Sequence, residues 1–332
     1  MTRVWTADAL MDLMRGSQPA CVLAAGAELG VFDALADGPA SAADVASRTS
    51  ADPRAAIVLL DALAALDLLV KQGNTYAVPP ALVDLLTDRG QRPEVLAMVR
   101  HQANCLRRWA QLGRVVQSGE PAERVASVRG PDADQAAFIQ AMHAASAGAA
   151  AIVADIGPPA FRHLLDVGGA SGTWTMAFLR AVPDTKATLF DLPPAIGHAR
   201  RRLGEAGLIH RVTLAPGDFY ADPLPAGADL AWVSAIIHQN SREQNRDLFR
   251  KVADALEPGG RILIRDIVMD ETRTRPVAGA LFAVNMLTGT PRGGTFTLRE
   301  IDEDLRRAGF SDAALCRRDE WMNSVVQAVK RT

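Results

Sequence analysis

The sequence predicts an α/β fold, a doubly wound and mostly parallel sheet, preceded by a mainly helical domain with a winged-helix-like pattern. Three observations lead there. From His163 onward, apolar strand-like runs alternate with helical segments, as in βαβ units layered on one sheet. Within that half, Leu164-Leu-Asp-Val-Gly-Gly-Ala-Ser-Gly172 runs an apolar strand into a glycine turn and a helix, and the next apolar strand ends in an acid, Asp191. Before it, residues 1 to about 155 show helical periodicity broken by a single hairpin signal.

A chain of 332 residues exceeds one typical core, so two domains are expected, 1–155 and 156–332, with Pro158-Pro159 marking the boundary. Hydrophobic residues make up 48% and charged residues 22%, the balance of a soluble globular protein. A formal charge of −2 argues against a strongly cationic surface, and so against nucleic-acid or membrane partners. Cys21, Cys105 and Cys316 are far apart with no C-x-x-C, which fits neither a disulfide framework nor a zinc site. The start lacks a signal-peptide core, and the apolar run 20–27 ends at Glu28, too short to span a bilayer. A cytoplasmic location is expected.

In the first half, residues 20–36 read as an apolar helix. Ser41 is a helix cap with an acid three residues on, Asp44. Asp52-Pro-Arg opens the next helix, with Pro at its first position and Ile57, Leu60, Leu63 and Ala64 on one face. Apolar runs on either side of Gln72-Gly-Asn form the hairpin. Helices followed by a hairpin suggest a winged helix, whose usual task is DNA binding. Residues 41–66 offer only Arg48 and Arg54 as cations, too few to neutralise phosphates, so an interaction domain is favoured. Helices over 93–116 and 132–156 follow, the second with Phe138, Ile139, Met142, Ala145 and Ala149 near helical spacing.

In the second half, strands are expected at 163–167, 187–191, 212–216, 230–237 and 261–268, and helices at 173–182, 194–206 and 242–256. Pro258-Gly-Gly stops the last of these helices. A helix at 298–309 and a short run at 325–329 complete the domain. Such a sheet binds its ligand at the carboxyl ends of its strands.

The distance from Gly168 to Asp191 suits a carboxylate that accepts ribose hydroxyls. The dinucleotide pattern G-x-G-x-x-G fails, because position 170 is Ala and position 173 is Thr. What remains, Asp166-x-Gly-Gly-x-x-Gly, resembles the glycine loop of S-adenosylmethionine (SAM) methyltransferases. SAM has a cationic amino-acid end and no pyrophosphate, so an acid at the start of the loop makes electrostatic sense. On this motif alone, a glycine-rich turn in another α/β protein remains an alternative.

Further matches follow in order, and over nearly its whole length the chain resembles the SAM-dependent O-methyltransferases of the plant caffeate and bacterial polyketide-tailoring type. Those proteins join a winged-helix dimerisation domain to a class I, Rossmann-like methyltransferase domain. The matching segments are the glycine loop, Phe190-Asp-Leu-Pro, Gly217-Asp-Phe-Tyr220, Asp229-Leu-Ala-Trp-Val-Ser-Ala-Ile-Ile-His238, Glu257-Pro-Gly-Gly-Arg-Ile-Leu-Ile-Arg-Asp266 and Gly293-Gly-Thr-Phe-Thr297. The resemblance implies that Asp166 and Gly168 bind the cofactor, Gly168 against the amino-acid portion of SAM, that Asp191 and Leu192 hold the ribose, and that Asp218 and Phe219 hold the adenine. It also implies a catalytic His238 oriented by Asp266, a homodimer formed through the N-terminal domain, and S-adenosylhomocysteine (SAH) as product. The chain departs from the family's His-Asp-Trp with His238-Gln-Asn, and Asp266 stands where Glu is frequent.

Methyl transfer from a sulfonium is an in-line displacement dominated by positioning. A phenol, with a pKa near ~10, gains from a general base, and a histidine near ~6.5 suits that role. Asp266 accepting the other ring N–H would fix the tautomer. Ser234 is a candidate for the SAM carboxylate, and His143 and Asn285 for a small-molecule substrate. No residues have metal-ligand spacing. Two other readings stay open: carbon methylation or SAM-assisted chemistry without methyl transfer on the same fold, and a SAM-sensing winged-helix regulator.

Overall fold

The computed structural model describes residues 4–146 and 148–332. They divide into two compact units, one of residues 4–113 with 122–145, the other of 114–121 with 146 and 148–332.

The first unit holds helices α1 (Ala7–Arg15), α2 (Ser17–Leu29), α3 (Val31–Ala34), α4 (Ala42–Thr49), α5 (Pro53–Ala65), α6 (Pro80–Leu86) and α7 (Pro93–Trp109), and α9 (Pro131–Ala144). Helix α8 (Leu112–Ser118) precedes α9 in the chain. Strand β1 (Ala40–Ser41) pairs antiparallel with β3 (Thr75–Ala77), which pairs with β2 (Val70–Gln72), so the hairpin forms a small three-stranded wing. The capping expected at Ser41 is present. The Ser41 hydroxyl accepts from the Asp44 N–H, and the Asp44 carboxylate accepts from the Ser41 N–H. Asp52 caps α5 by accepting the Ala55 N–H. Phe32, Leu35, Leu60, Leu63 and Leu96 form the centre of this unit's core.

The second unit begins with α10 (Ala149–Ile156) and continues through β4 (His163–Val167), α11 (Thr173–Ala181), β5 (Lys186–Asp191), α12 (Pro193–Glu205), β6 (Val212–Pro216) and β7 (Ala228–Ser234). Then come α13 (Arg242–Ala255), β8 (Leu256–Asp266), β9 (Val268–Met269), α14 (Val277–Gly289), β10 (Phe296–Thr297), α15 (Leu298–Arg307), β11 (Phe310–Arg317) and β12 (Ser324–Lys330). The sequence expects one helix over 132–156 and a domain boundary at 155. The structure has two helices there, and the second buries Ile152 and Val153 against Phe161 and Leu164 of the sheet unit.

Seven strands form one sheet in the order β11-β12-β8-β7-β4-β5-β6. Strands β6, β5, β4, β7 and β8 are parallel, and β12 and β11 add on antiparallel. The expected doubly wound sheet is therefore present. Its central strands are apolar on both faces because helices cover both: Leu165, Val167, Val233 and Ile264 pack to one side, and Leu164, Trp232 and Leu263 to the other. Strand β11 was not legible, since Phe310-Ser-Asp-Ala-Ala-Leu-Cys-Arg317 alternates small and polar residues at a sheet edge. The chain leaves β4 toward β5 on one side, while β7 lies on the other. That switch in strand order opens a crevice at the carboxyl ends of β4 and β7.

Candidate active site

The crevice is lined by the glycine loop, which leaves β4 with Gly168 at φ +67°, Ala170 at +44° and Gly172 at +75°. A side chain at 168 would bring its Cβ within 2.7 Å of Ile236 Cδ1, so only glycine lets the loop lie against the segment after β7. The Phe219 ring lies 3.7 Å from the same point, so an aromatic face stands beside the loop. Ala170 is strained in the left-handed region, and its N–H donates to Asp191 Oδ2 at 2.7 Å.

Asp191 ends β5 and is half-buried. Its other oxygen accepts the Leu192 N–H at 2.6 Å. Burial pushes this carboxyl up from its ordinary value, although the two N–H bonds pull the other way. Each oxygen keeps a lone pair, so a pair of vicinal hydroxyls has two acceptors waiting. The Leu192 side chain itself is exposed.

Asp166 sits differently. It is 1% exposed beneath the loop, where the Thr175 hydroxyl donates to its carboxyl at 2.5 Å. Burial, with Asp191 adding repulsion, pushes its pKa up to about 7, against the Thr175 bond. It props the loop from below: a Cβ on Gly169 would stand 3.0 Å from its carboxyl.

The segment after β6 is folded by its own acids. Asp218 donates its N–H to Asp222 and accepts the Tyr220 N–H at 2.9 Å. Lys251 of α13 donates to the carbonyls of Phe219, Tyr220 and Asp222 and fixes the turn. The Phe219 and Tyr220 rings stand 4.6 Å apart.

After β7 the chain turns sharply at Ala235, φ +56°, and a 3-10 turn, Ile237–Gln239, carries His238. His238 Nδ1 lies 2.9 and 3.0 Å from the two oxygens of Asp266, which is 1% exposed at the end of β8. A carboxylate only accepts, so Nδ1 donates, and in the neutral imidazole Nε2 then presents a lone pair. The Ile267 N–H also binds Asp266 at 2.8 Å. The Phe282 ring of α14 meets the imidazole edge-on at 5.0 Å, and Gly294 donates to the His238 carbonyl. Gly293 must be glycine, because its Cβ would stand 2.5 Å from that carbonyl.

Asn240, at the departure from His-Asp-Trp, is fully buried. It accepts the Tyr220 hydroxyl at 2.5 Å and donates to Asn245, which donates to the Ile237 carbonyl. This chain of bonds ties the turn after β6 to the turn bearing His238. Sequence reading missed it because the partners lie up to 20 residues apart with no motif between them. Gln239 faces solvent.

Ser234, the last residue of β7, accepts from the Arg265 guanidinium at 3.0 Å. Asn285 is half-buried on α14, one turn beyond Phe282, while His143 is exposed near the end of α9 in the first unit. No group of three or more potential metal ligands occurs among the described residues. No helix among them is long and apolar enough to cross a membrane.

These residues suit the cofactor that the resemblance implies: a glycine cradle, a strand-end acid with free lone pairs, and an aromatic face. Comparison with known proteins agrees. The O-methyltransferase dimerisation domain family matches residues 11–87, and the O-methyltransferase domain family matches residues 127–311. A 3-hydroxy-5-methyl-1-naphthoate 3-O-methyltransferase of Streptomyces sahachiroi is 33% identical over 337 aligned positions, spanning 97% of this chain and 94% of its own. The solved structure of PigF with SAH is similar with a TM-score of 0.84 at 25% identity, over 98% of this chain and 100% of that one. Human N-acetylserotonin methyltransferase in complex with SAM gives 0.77 at 25% identity, over 100% of both.

Proposed function

Because the chain belongs to the SAM-dependent O-methyltransferases that carry an N-terminal dimerisation domain, we propose that it methylates a hydroxyl of a small aromatic molecule, with His238 as general base. The observation that carries this reading is the His238–Asp266 pair at the carboxyl end of the sheet, with Nδ1 held at 2.9 Å. The aromatic class rests on the naphthoate named for the Streptomyces relative.

Bound SAM supplies an electrophilic methyl group on a sulfonium. The protein's part is to bind, align and deprotonate. Asp191 accepts the ribose hydroxyls through its two remaining lone pairs, and Gly168 lets the loop approach the amino-acid end. Asp218 and Phe219 take the adenine edge and face. His238 Nε2 takes the acceptor's hydroxyl proton as the oxygen attacks, and Asp266 stabilises the resulting imidazolium. Positioning within about 3 Å of the methyl carries much of the rate. Asn285 of α14 is the proposed acceptor contact within the sheet unit.

Homodimerisation through the first unit is proposed on the match to the dimerisation family and on exposed Leu10, Met11, Leu13 and Met14 of α1. The test of function is incubation with SAM and a panel of hydroxynaphthoates and simpler phenols, read by product mass. A methyl ether formed by the wild type and lost in His238→Ala supports the reading. A methylated carbon, or full activity without the imidazole, sinks it.

A further inference from the structure

Arg265, next to last in β8, is 4% exposed and lies opposite Ser234 in the parallel register of β7 and β8. Its guanidinium stands over the Trp174 ring at 4.7 Å, in the first turn of the helix that follows the glycine loop. It donates from Nη1 to Ser234 Oγ at 3.0 Å, and from Nε and Nη2 to Asn323 Oδ1 at 2.8 and 2.6 Å. Every one of these acceptors is neutral. The nearby carboxylates are committed elsewhere: Asp266 to His238 and the Ile267 N–H, and Asp319 to Arg317 and the N–H groups of Trp321 and Asn323. Burial lowers the guanidinium's pKa to about 10, with Asp266 and Asp319 opposing, so it is still a cation at neutral pH.

A buried cation bonded only to neutral oxygens is a costly way to tie strands together, since methionine or leucine would fill the same space without the desolvation penalty. The arrangement makes sense if an anion completes it. Ser234 supplies the route. Its oxygen is taken up as acceptor by a cation, so its own proton is directed elsewhere and is the better donor for that neighbour. Ser234 is half-exposed at the strand end, and Ala235 turns the chain away just after it. Strands β4 and β7 pair with Val167 opposite Val233, so Gly168 and Ser234 are the next residues along the two neighbouring strands.

We propose that Arg265 is a positioning residue for the cofactor: it orients the Ser234 hydroxyl to donate to the α-carboxylate of SAM and holds a fixed positive charge behind it. The proposal rests on the reading that the glycine loop takes the amino-acid end of SAM. It assigns a task to a residue that the acid-base chemistry does not use, and it deepens the reading of Ser234.

The test is calorimetric titration with two ligands, SAH and its decarboxylated analogue, which keeps the nucleoside, the thioether and the amine. Wild type should prefer SAH. Arg265→Met should weaken SAH by roughly 10- to 100-fold, the range for a hydrogen bond to a charged group, and leave the analogue within about twofold. Ser234→Ala should do the same to a smaller extent, and the double variant should be little worse than Arg265→Met, because the two act through each other. Arg265→Lys should restore part of the preference. Equal loss for both ligands in Arg265→Met would make it a structural tie and overturn the proposal, as would a Ser234→Ala variant that binds both ligands like wild type. Ser234→Ala removes one oxygen from a half-exposed site, so it keeps the test decisive if Arg265→Met fails to fold. Wild type that binds neither ligand would instead remove the cofactor reading underneath.

Discussion

The two ends of the seven-stranded sheet treat charge in opposite ways. At the amino end, Asp229 accepts the N–H groups of Arg162 and His163 and pairs with the Arg162 guanidinium, which also reaches Glu257. Burial alone would raise Asp229, but these partners outweigh it and hold its carboxyl below the ordinary value. At the carboxyl end, burial pushes Asp166 and Asp191 up and Arg265 down, each toward its neutral form. Charges satisfied within the protein serve stability. Charges left incompletely met in a crevice mark the end where a ligand completes them. The depression at the amino end, lined by Arg162, His163, Asp184, Lys186, Asp229 and Glu257, is held by the pairs of Arg162 with Asp229 and Glu257.

The strongest way to break this comparison is at His238. His238→Ala should lower kcat by ~100- to 10,000-fold, the range for loss of a general base, with SAH affinity nearly unchanged. Single-turnover rates with calorimetry on the same preparation would check it. An unaltered rate would leave the carboxyl end as a binding site without acid-base chemistry.

Asp166 gives the next largest effect, and its sign is set by the raised pKa. The unfolded chain releases this proton near pH ~4, while the folded protein keeps it to about pH 7. Between those values the folded state binds more protons, so stability falls as pH rises, by up to ~1.4 kcal/mol per pH unit, and levels off above. Asp166→Asn stays neutral and still accepts from Thr175, so it should remove that slope. Urea midpoints across the window, variant against wild type, measure it; parallel curves would sink the assignment.

Asp191→Ala should weaken SAH by at least ~100-fold, because two hydrogen bonds from the ribose to a charged group are lost at ~1.5–3 kcal/mol each. Less than about threefold loss would remove Asp191 from the ribose site.

Local chemistry decided what could be read from the sequence. The glycine loop, Asp191, His238 and Asp266 announce themselves, since each follows an apolar run or a glycine turn at short range. Asp166 was legible as part of the motif but not in its placement, because only the fold shows that Thr175 lies over it. The Arg265–Ser234 bond and the Tyr220–Asn240–Asn245 chain join distant segments through strand register and loop packing, which no spacing encodes. The same limit explains the edge strand β11, which carries too little apolar alternation to be told from a loop, and the helix break before α10.

The smallest effect lies at the amino end, and it sharpens the contrast most. Asp229→Asn keeps one acceptor oxygen but turns an amide toward the N–H groups of Arg162 and His163, and it removes the partner of an exposed guanidinium. The expected loss is ~1–2 kcal/mol of stability, the usual cost of a broken hydrogen-bond cluster, with kcat and SAH affinity unchanged. The pH sign is the reverse of that for Asp166. The folded pKa of Asp229 is lowered, so its contribution is present above the unfolded value near ~4 and fades as pH falls through the folded value. Two aspartates in one sheet, Asp229 near the start of β7 and Asp166 near the end of β4, should therefore tilt the stability curve in opposite directions, the first on the acid side and the second toward neutral pH. A stability profile of the double variant that is flat in both windows would confirm that the two ends act independently. If Asp229→Asn also changed catalysis, the division between a stabilising end and a ligand end would fail.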